Sequence, residues 1–285
     1  MSTVTTTPAP TTTSKVMRTH VPAPTSALQN SLTMLRRNLR HARRYPAMTI
    51  SLVSMPIAML LLFNYVFGGT MSAGMEGMGG QGSGDYIDYL VPGILLMAVG
   101  SGVLPTTVGV CTDMTEGIVA RFRTMPINGS SILTGRAVGA VIQTMVTIVF
   151  VVGVAFLVGF RSGAEPVEWV AAAGLLTLMS TALTWLAVAL GQLVKAPEAA
   201  SSVALPFSFL LPFLSSVFVP LDSMPGWLRH FAEWQPYTAF TETLRGLLTG
   251  TEIGKFGPLA VGWGVAIALL GFFWARSLFK RGATR

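Results

Sequence analysis

Six long apolar runs separated by short polar stretches occupy most of the chain from residue 47 onward: 47–67, 89–111, 134–160, 169–194, 199–219 and 257–276. Each is close to the roughly 20 residues that an α-helix needs to cross the hydrocarbon core of a bilayer. In lipid, backbone N–H and C=O groups must find partners within the protein, so apolar runs of this length predict helices. The expected fold is all-α and membrane-integral, with six transmembrane helices over residues 46–280. The pieces between the runs are too small to form domains, and no internal repeat is visible.

Ahead of the first run the pattern changes twice. Residues 1–26 are rich in Thr, Pro, Ser and Ala and nearly free of large apolar side chains, which predicts a disordered tail. They hold no apolar core of the kind found in a cleaved signal peptide. Over residues 27–45, leucines recur at Leu28, Leu32, Leu35 and Leu39, with Arg36, Arg37, Arg40, Arg43 and Arg44 on the remainder. This pattern predicts an amphipathic helix at a lipid surface, its arginines among anionic headgroups.

Two polar stretches between runs carry further pattern. In 112–134, a helix from Thr115 to Met125 would place Ile118, Phe122 and Met125 on one face and Glu116, Arg121 and Arg123 elsewhere. Pro126 stops that helix at Met125, and Asn128-Gly129 makes a turn. A short amphipathic helix flanked by charge suits a soluble partner; the alternative is a solvated loop with ordinary topological arginines. In 220–256, Pro225 opens a short helix that ends before Pro236. A second helix, Tyr237 to Leu248, puts Phe240, Leu244, Leu247 and Leu248 on one face. Trp227, Trp234 and Tyr237 suit the headgroup belt, so the two helices either cap the outer end of a pathway or rest on lipid.

Composition agrees with a membrane protein. Only 11% of residues are charged and 51% are hydrophobic, whereas a soluble domain carries about 25% charged residues. The net charge of +7 would suggest nucleic acid if it were spread over one surface. Instead it follows the loops. All but Arg161, Arg229, Arg245 and Lys255 of the 19 Lys and Arg fall in the N-terminal segment, the 112–134 loop with Arg136, Lys195 and the C-terminus. That bias predicts a multi-pass protein of the cytoplasmic membrane with both termini cytoplasmic.

The inventory of reactive groups is short. No charged side chain lies inside runs one to five away from their ends, which argues against an ion-coupled carrier or a membrane-embedded enzyme. The mild polar groups there, such as Thr144, Thr147, Ser180, Thr184 and Ser208, suit helix packing. Met71, Met75 and Met78 stand in a glycine-rich loop without His or Cys, the three histidines are scattered, and Cys111 is alone, so no metal site is expected. Phe207, Phe209, Phe213 and Phe218, with Pro206 and Pro212, either line a path for an aromatic cargo or face lipid and neighbouring helices. No catalytic residues are expected. The one Gly-Lys pair, Gly254-Lys255, is followed by Phe256 and makes no phosphate-binding loop, so energy for active transport would come from another polypeptide.

Three stretches together resemble the permease subunits of ABC-2 type exporters, most closely those of the daunorubicin/doxorubicin-resistance type. They are Glu116-Gly117 followed by Arg121-Phe122-Arg123-Thr124-Met125-Pro126, the segment 213–248, and the basic helix leading into the first run. The second is the most specific, fixing Pro225, Trp227, Leu228, Pro236 and Arg245. Two positions depart from the family pattern: Glu116 and Gly117 are adjacent, and Gln235 stands where Asn is usual before Pro236. The resemblance implies a permease paired with a second copy or a paralogue, and ATP and Mg on a separate cytoplasmic subunit. It implies that Glu116, Gly117, Arg121, Phe122, Arg123 and Pro126 form the segment coupled to that ATPase, and that residues 223–248 are short re-entrant helices near the outer leaflet. The implied cargo is an amphipathic drug, antibiotic or lipid-like molecule; a lipid-linked polysaccharide is the alternative.

Overall fold

The computed structural model of the protein describes residues 46–69, 82–115, 129–219, 221–251 and 253–281. Among these residues all the regular secondary structure is helical. Helix α1, Pro46–Leu62, runs on into a π turn at Phe63–Phe67. The next run is split into α2, Gly82–Ser101, and α3, Val103–Thr115. Then come α4, Gly129–Val158, and α5, Pro166–Leu193. Helix α6, Pro197–Leu205, continues through a π turn at Pro206–Leu210 and a last turn at Leu211–Phe213. Finally come α7, Gly226–Trp234, α8, Pro236–Thr249, and α9, Phe256–Arg281.

All six apolar runs are therefore helical, but not alike. Among the described residues, four stretches are long and apolar enough to cross a membrane: Tyr86–Thr115, Leu133–Val158, Pro166–Leu193 and Phe256–Phe279. The first run contributes a shorter apolar stretch, Leu52–Phe67. The second run is not one straight rod. Pro105 has no N–H and its ring crowds the carbonyl of Ser101, so the helix breaks at Gly102. The fifth run, expected as a single helix over 199–219, ends at Phe213 and continues to residue 219 as turns. Pro206 and Pro212 are the reason, since each removes one helical hydrogen bond.

Helix ends follow local signals. Pro166 occupies the first turn of α5, and the Glu165 N–H donates to the Glu168 carboxylate at 2.7 Å. Helix α4 closes where Gly159 adopts a φ of 120°, and α8 where Gly250 sits at 73°.

The core is built around α2, whose residues 90–100 are all buried. Leu90, Val91, Ile94, Leu95, Leu96 and Met97 meet α1, α4, α5, α8 and the π turn of the fifth segment. Helix α9 packs chiefly along α5 and reaches this core only at its start, through Phe256, Leu259 and Ala260. Gly271 lets it come close, since a Cβ there would stand 2.8 Å from the Leu186 nitrogen, and Phe272 packs edge-on against Trp185 at 4.9 Å. Its outer face and that of α4 leave Val149, Phe150, Leu157, Leu270 and Phe273 exposed. In a chain of this composition those side chains face lipid tails, which accept apolar surface at no hydrophobic cost.

Candidate functional site

The fifth segment presents irregular backbone inside an apolar run, and α8 supplies what that backbone lacks. In the π turn the Leu211 N–H donates to the Pro206 carbonyl, which frees the carbonyl of Phe207. Pro212 has no N–H to offer it. The Tyr237 hydroxyl, fully buried on α8, donates to this carbonyl at 2.6 Å. Further along, the Gln235 side-chain amide donates to the Leu214 carbonyl at 2.5 Å, and the Ser216 N–H donates to the Thr238 hydroxyl at 3.3 Å. The Ser216 carbonyl accepts from the Tyr89 hydroxyl at 3.0 Å and from Arg245 Nη2 at 3.2 Å. Backbone of this kind is tolerated in a hydrocarbon environment only when protein groups satisfy it. Here α8 acts as a splint.

Arg245 is the hub. It is only 8% exposed, pairs through Nη1 with Glu242 at 2.7 Å, and donates a further bond to the Tyr89 carbonyl at 3.3 Å. Its guanidinium carbon lies 3.7 Å from the centre of the Tyr89 ring, a cation–π contact. The ion pair leaves the buried cluster neutral, which suits a low-dielectric site. Helix α2 is shaped to receive the splinted segment: a Cβ on Gly93 would meet the Val217 carbonyl at 2.6 Å, and one on Gly100 the Tyr237 hydroxyl at 3.0 Å. Among the described residues, Ser216 Oγ, Gln235 Oε1 and Arg245 Nε are buried without a hydrogen-bond partner.

One face of the fifth segment forms a shallow, open apolar groove, lined by Ser202, Leu205, Pro206, Phe209, Leu210 and Phe213. Of the four phenylalanines singled out in the sequence, Phe209 and Phe213 line this groove. Phe218 is buried, stacked between Phe213 at 4.8 Å and Phe63 at 4.7 Å, and Phe207 is half-buried at the π turn. The lining is apolar apart from one hydroxyl, a surface for a flat or aliphatic group rather than for an ion.

The 223–248 stretch forms the two helices expected, with Pro225 just ahead of α7 and Pro236 opening α8. Trp227, Phe231 and Trp234 make an exposed stripe along α7 at helical spacing, opposite the buried Ala232. Leu228 is half-buried beneath it, and Arg229 pairs with Glu233 at 3.1 Å. One assignment is corrected: Tyr237 does not join an interfacial belt, because its hydroxyl is used inside the core by the Phe207 carbonyl. The α8 face of Phe240, Leu244 and Leu248 is fully buried, with Leu247 partly so. Sequence reasoning placed Arg245 in this stretch but missed Tyr89 and Ser216 as its partners, and Gln235, Tyr237 and Thr238 as partners of the fifth segment's backbone. The available signal was the density of hydrogen-bonding side chains in Gln235–Arg245 opposite a proline-broken run.

At the other end of the helices, α3 stops at Thr115 and α4 starts at Gly129. Glu116, Gly117, Arg121, Phe122, Arg123 and Pro126 lie between them, outside the described residues, as do the 1–26 tail and the 27–45 helix. The anchors are well defined: Asp113 on α3 pairs with Arg136 on α4, and Cys111 Sγ donates to the Val194 carbonyl at 3.3 Å.

A helical membrane domain with a broken fifth segment splinted by a polar helix defines a transporter-like class. The particular family follows from comparison. Residues 29–249 match the model of the ABC-2 type transporter family, and the chain belongs to it. It is 30% identical over 230 residues to the daunorubicin resistance ABC transporter permease protein DrrB1 of Streptomyces coeruleorubidus, covering 81% of this chain and 78% of that protein. It is 28% identical over 220 residues to the probable doxorubicin resistance ABC transporter permease protein DrrC of Mycobacterium tuberculosis, covering 75% and 74%. A putative transport permease of Cyanophora paradoxa, ycf38, is 24% identical over 226 residues, covering 77% and 74%.

Proposed function

We propose that this chain is the membrane-spanning permease of an ATP-driven exporter that moves an amphipathic drug, antibiotic or lipid-like molecule outward across a cytoplasmic membrane. The observation that carries the reading is the ABC-2 type family match over residues 29–249, and the broken fifth segment with its shallow apolar face agrees with it. Irregular backbone in a membrane helix belongs where it lines a cavity or is buried in protein, and a groove of this lining takes a flat apolar body. Relatives named for daunorubicin and doxorubicin resistance support the same cargo class.

In this reading two permeases, either two copies or a copy and a paralogue, flank the path. Both termini face the cytoplasm, as the distribution of Lys and Arg implies. Separate subunits bind ATP and Mg there and engage the 112–134 loop through Glu116, Gly117, Arg121, Phe122, Arg123 and Pro126, with the 27–45 helix beside them. ATP-driven closure of those subunits shifts the helices toward an outward-facing state, which must gain several kcal/mol over the inward one to invert the populations. The residues that change partners then include α8 and the splinted segment, because no stretch of regular helix has to be broken there.

The test is transport in inverted membrane vesicles that contain this chain and the ATP-binding subunit encoded with it. Daunorubicin should accumulate in the vesicles with ATP and not with a non-hydrolysable analogue, and Phe213→Ala should lower that accumulation. Accumulation that persists without ATP and collapses with the proton gradient would contradict the reading.

A further inference from the structure

The segment that carries Arg121 and Arg123 joins two helices that share α5 but otherwise pack on different neighbours. Helix α3 packs chiefly against α5 and α6, and α4 against α5, α1 and α2. Near the mouth of the loop they are joined by the Asp113–Arg136 ion pair. Asp113 stands two residues before the last residue of α3, and Arg136 two turns into α4. The pair differs from Arg229–Glu233 and Arg245–Glu242, each of which lies within one helix. Both side chains are about one-third exposed, at 30% and 31%. Gly109, one turn before Asp113, makes the room: a Cβ there would overlap the Arg136 guanidinium.

We propose that Asp113 and Arg136 form a positioning pair that fixes the spacing of the two helix ends carrying the 116–128 segment. A push on that segment then moves α3 and α4 together. This rests on the reading that the segment receives a separate ATPase. Without the pair the two ends are held together less directly, through their shared packing on α5. ATP is still hydrolysed, but less of its free energy reaches the groove on the fifth segment, which α3 contacts through α6. The pair passes on motion; it does not touch cargo or nucleotide.

The experiment uses the full chain with its ATP-binding subunit in vesicles, comparing wild type, Asp113→Asn, Arg136→Gln, Gly109→Ala and the double variant Asp113→Glu with Arg136→Lys. Three quantities are read: ATPase captured with the tagged chain, ATP hydrolysed, and daunorubicin moved per ATP. The three single variants should keep capture and hydrolysis within about twofold, while drug moved per ATP falls about tenfold, the size of a typical inter-site coupling. The double variant keeps charge and combined reach, and should recover to within about threefold of wild type. Unchanged drug per ATP in the single variants overturns the proposal. So does a loss that the double variant fails to restore, or a loss of capture in parallel with transport, which would make the residues part of docking or folding. If wild type captures no ATPase, the exporter reading itself fails and the positioning role falls with it.

Discussion

Arg245 and Tyr237 show how much one side chain can matter when it satisfies backbone within an apolar environment. Replacing Tyr237 by Phe removes the only hydrogen bond described for the Phe207 carbonyl and keeps the ring. Leaving a buried acceptor unpaired costs about 1–3 kcal/mol, so Tyr237→Phe should lower the unfolding midpoint in detergent by a corresponding amount. Arg245→Met leaves the partly exposed Glu242 carboxylate without its partner, and should cost less than the about 3–5 kcal/mol of a fully buried pair broken from one side. The double change of Arg245→Met with Glu242→Met should cost less than the single one, since no lone charge remains. A double variant less stable than Arg245→Met, measured by thermal unfolding, would show that the bonds to Ser216 and Tyr89 outweigh the ion pair. These roles were not legible in the sequence. Helical spacing places Arg245 one turn from Glu242, but nothing in it says that the carbonyls of Tyr89 and Ser216 converge there from 156 and 29 residues away.

At the level of elements, the sequence was read best where backbone chemistry is local. Pro225, Pro236 and Gly250 mark the ends of α7 and α8, and the apolar face of α8 follows from its 3.6-residue period. The breaks inside apolar runs were harder to see, because hydrophobicity continues straight through Gly102 and Pro212 while the hydrogen-bond ladder does not. Tyr237 was misplaced for a related reason: its amphipathic ring suits an interface equally well until a freed carbonyl claims its hydroxyl. The fifth segment yields a prediction at this scale. Pro212→Ala restores an N–H and favours regular helix through Phe213, so it should raise the unfolding midpoint and reduce drug export together. Such opposite changes are the usual sign of strain held for function. A variant that transports as wild type would mean that the break serves packing alone. On α7 the exposed stripe of Trp227, Phe231 and Trp234 should lie in the outer lipid surface. With the remaining tryptophans replaced by phenylalanine, brominated lipid should quench the fluorescence of Trp227 and Trp234, and a water-soluble quencher should reach them poorly.

For the whole molecule, the class of protein was legible because lipid as a solvent writes itself into composition, run length and the placement of Lys and Arg. The packing order was not. That α2 is the buried centre, while α9 and one face of α4 are left exposed, depends on which helices touch, because Tyr86–Thr115, Pro166–Leu193 and Phe256–Phe279 are about equally apolar yet differ in burial. In the proposed exporter the chain is one half of a machine whose energy source is a separate ATPase seated on the 112–134 loop. If so, Arg121→Glu with Arg123→Glu should lower ATPase association at least tenfold, roughly the effect of reversing charges in an interface, without preventing membrane insertion. The most direct measurement is recovery of the tagged chain from its native membranes in mild detergent, with identification of partners and assay of vanadate-sensitive ATP hydrolysis. The account predicts a soluble P-loop ATPase in the recovered complex, lost in the double arginine variant. A chain that comes down alone, with no ATP hydrolysis, would contradict it.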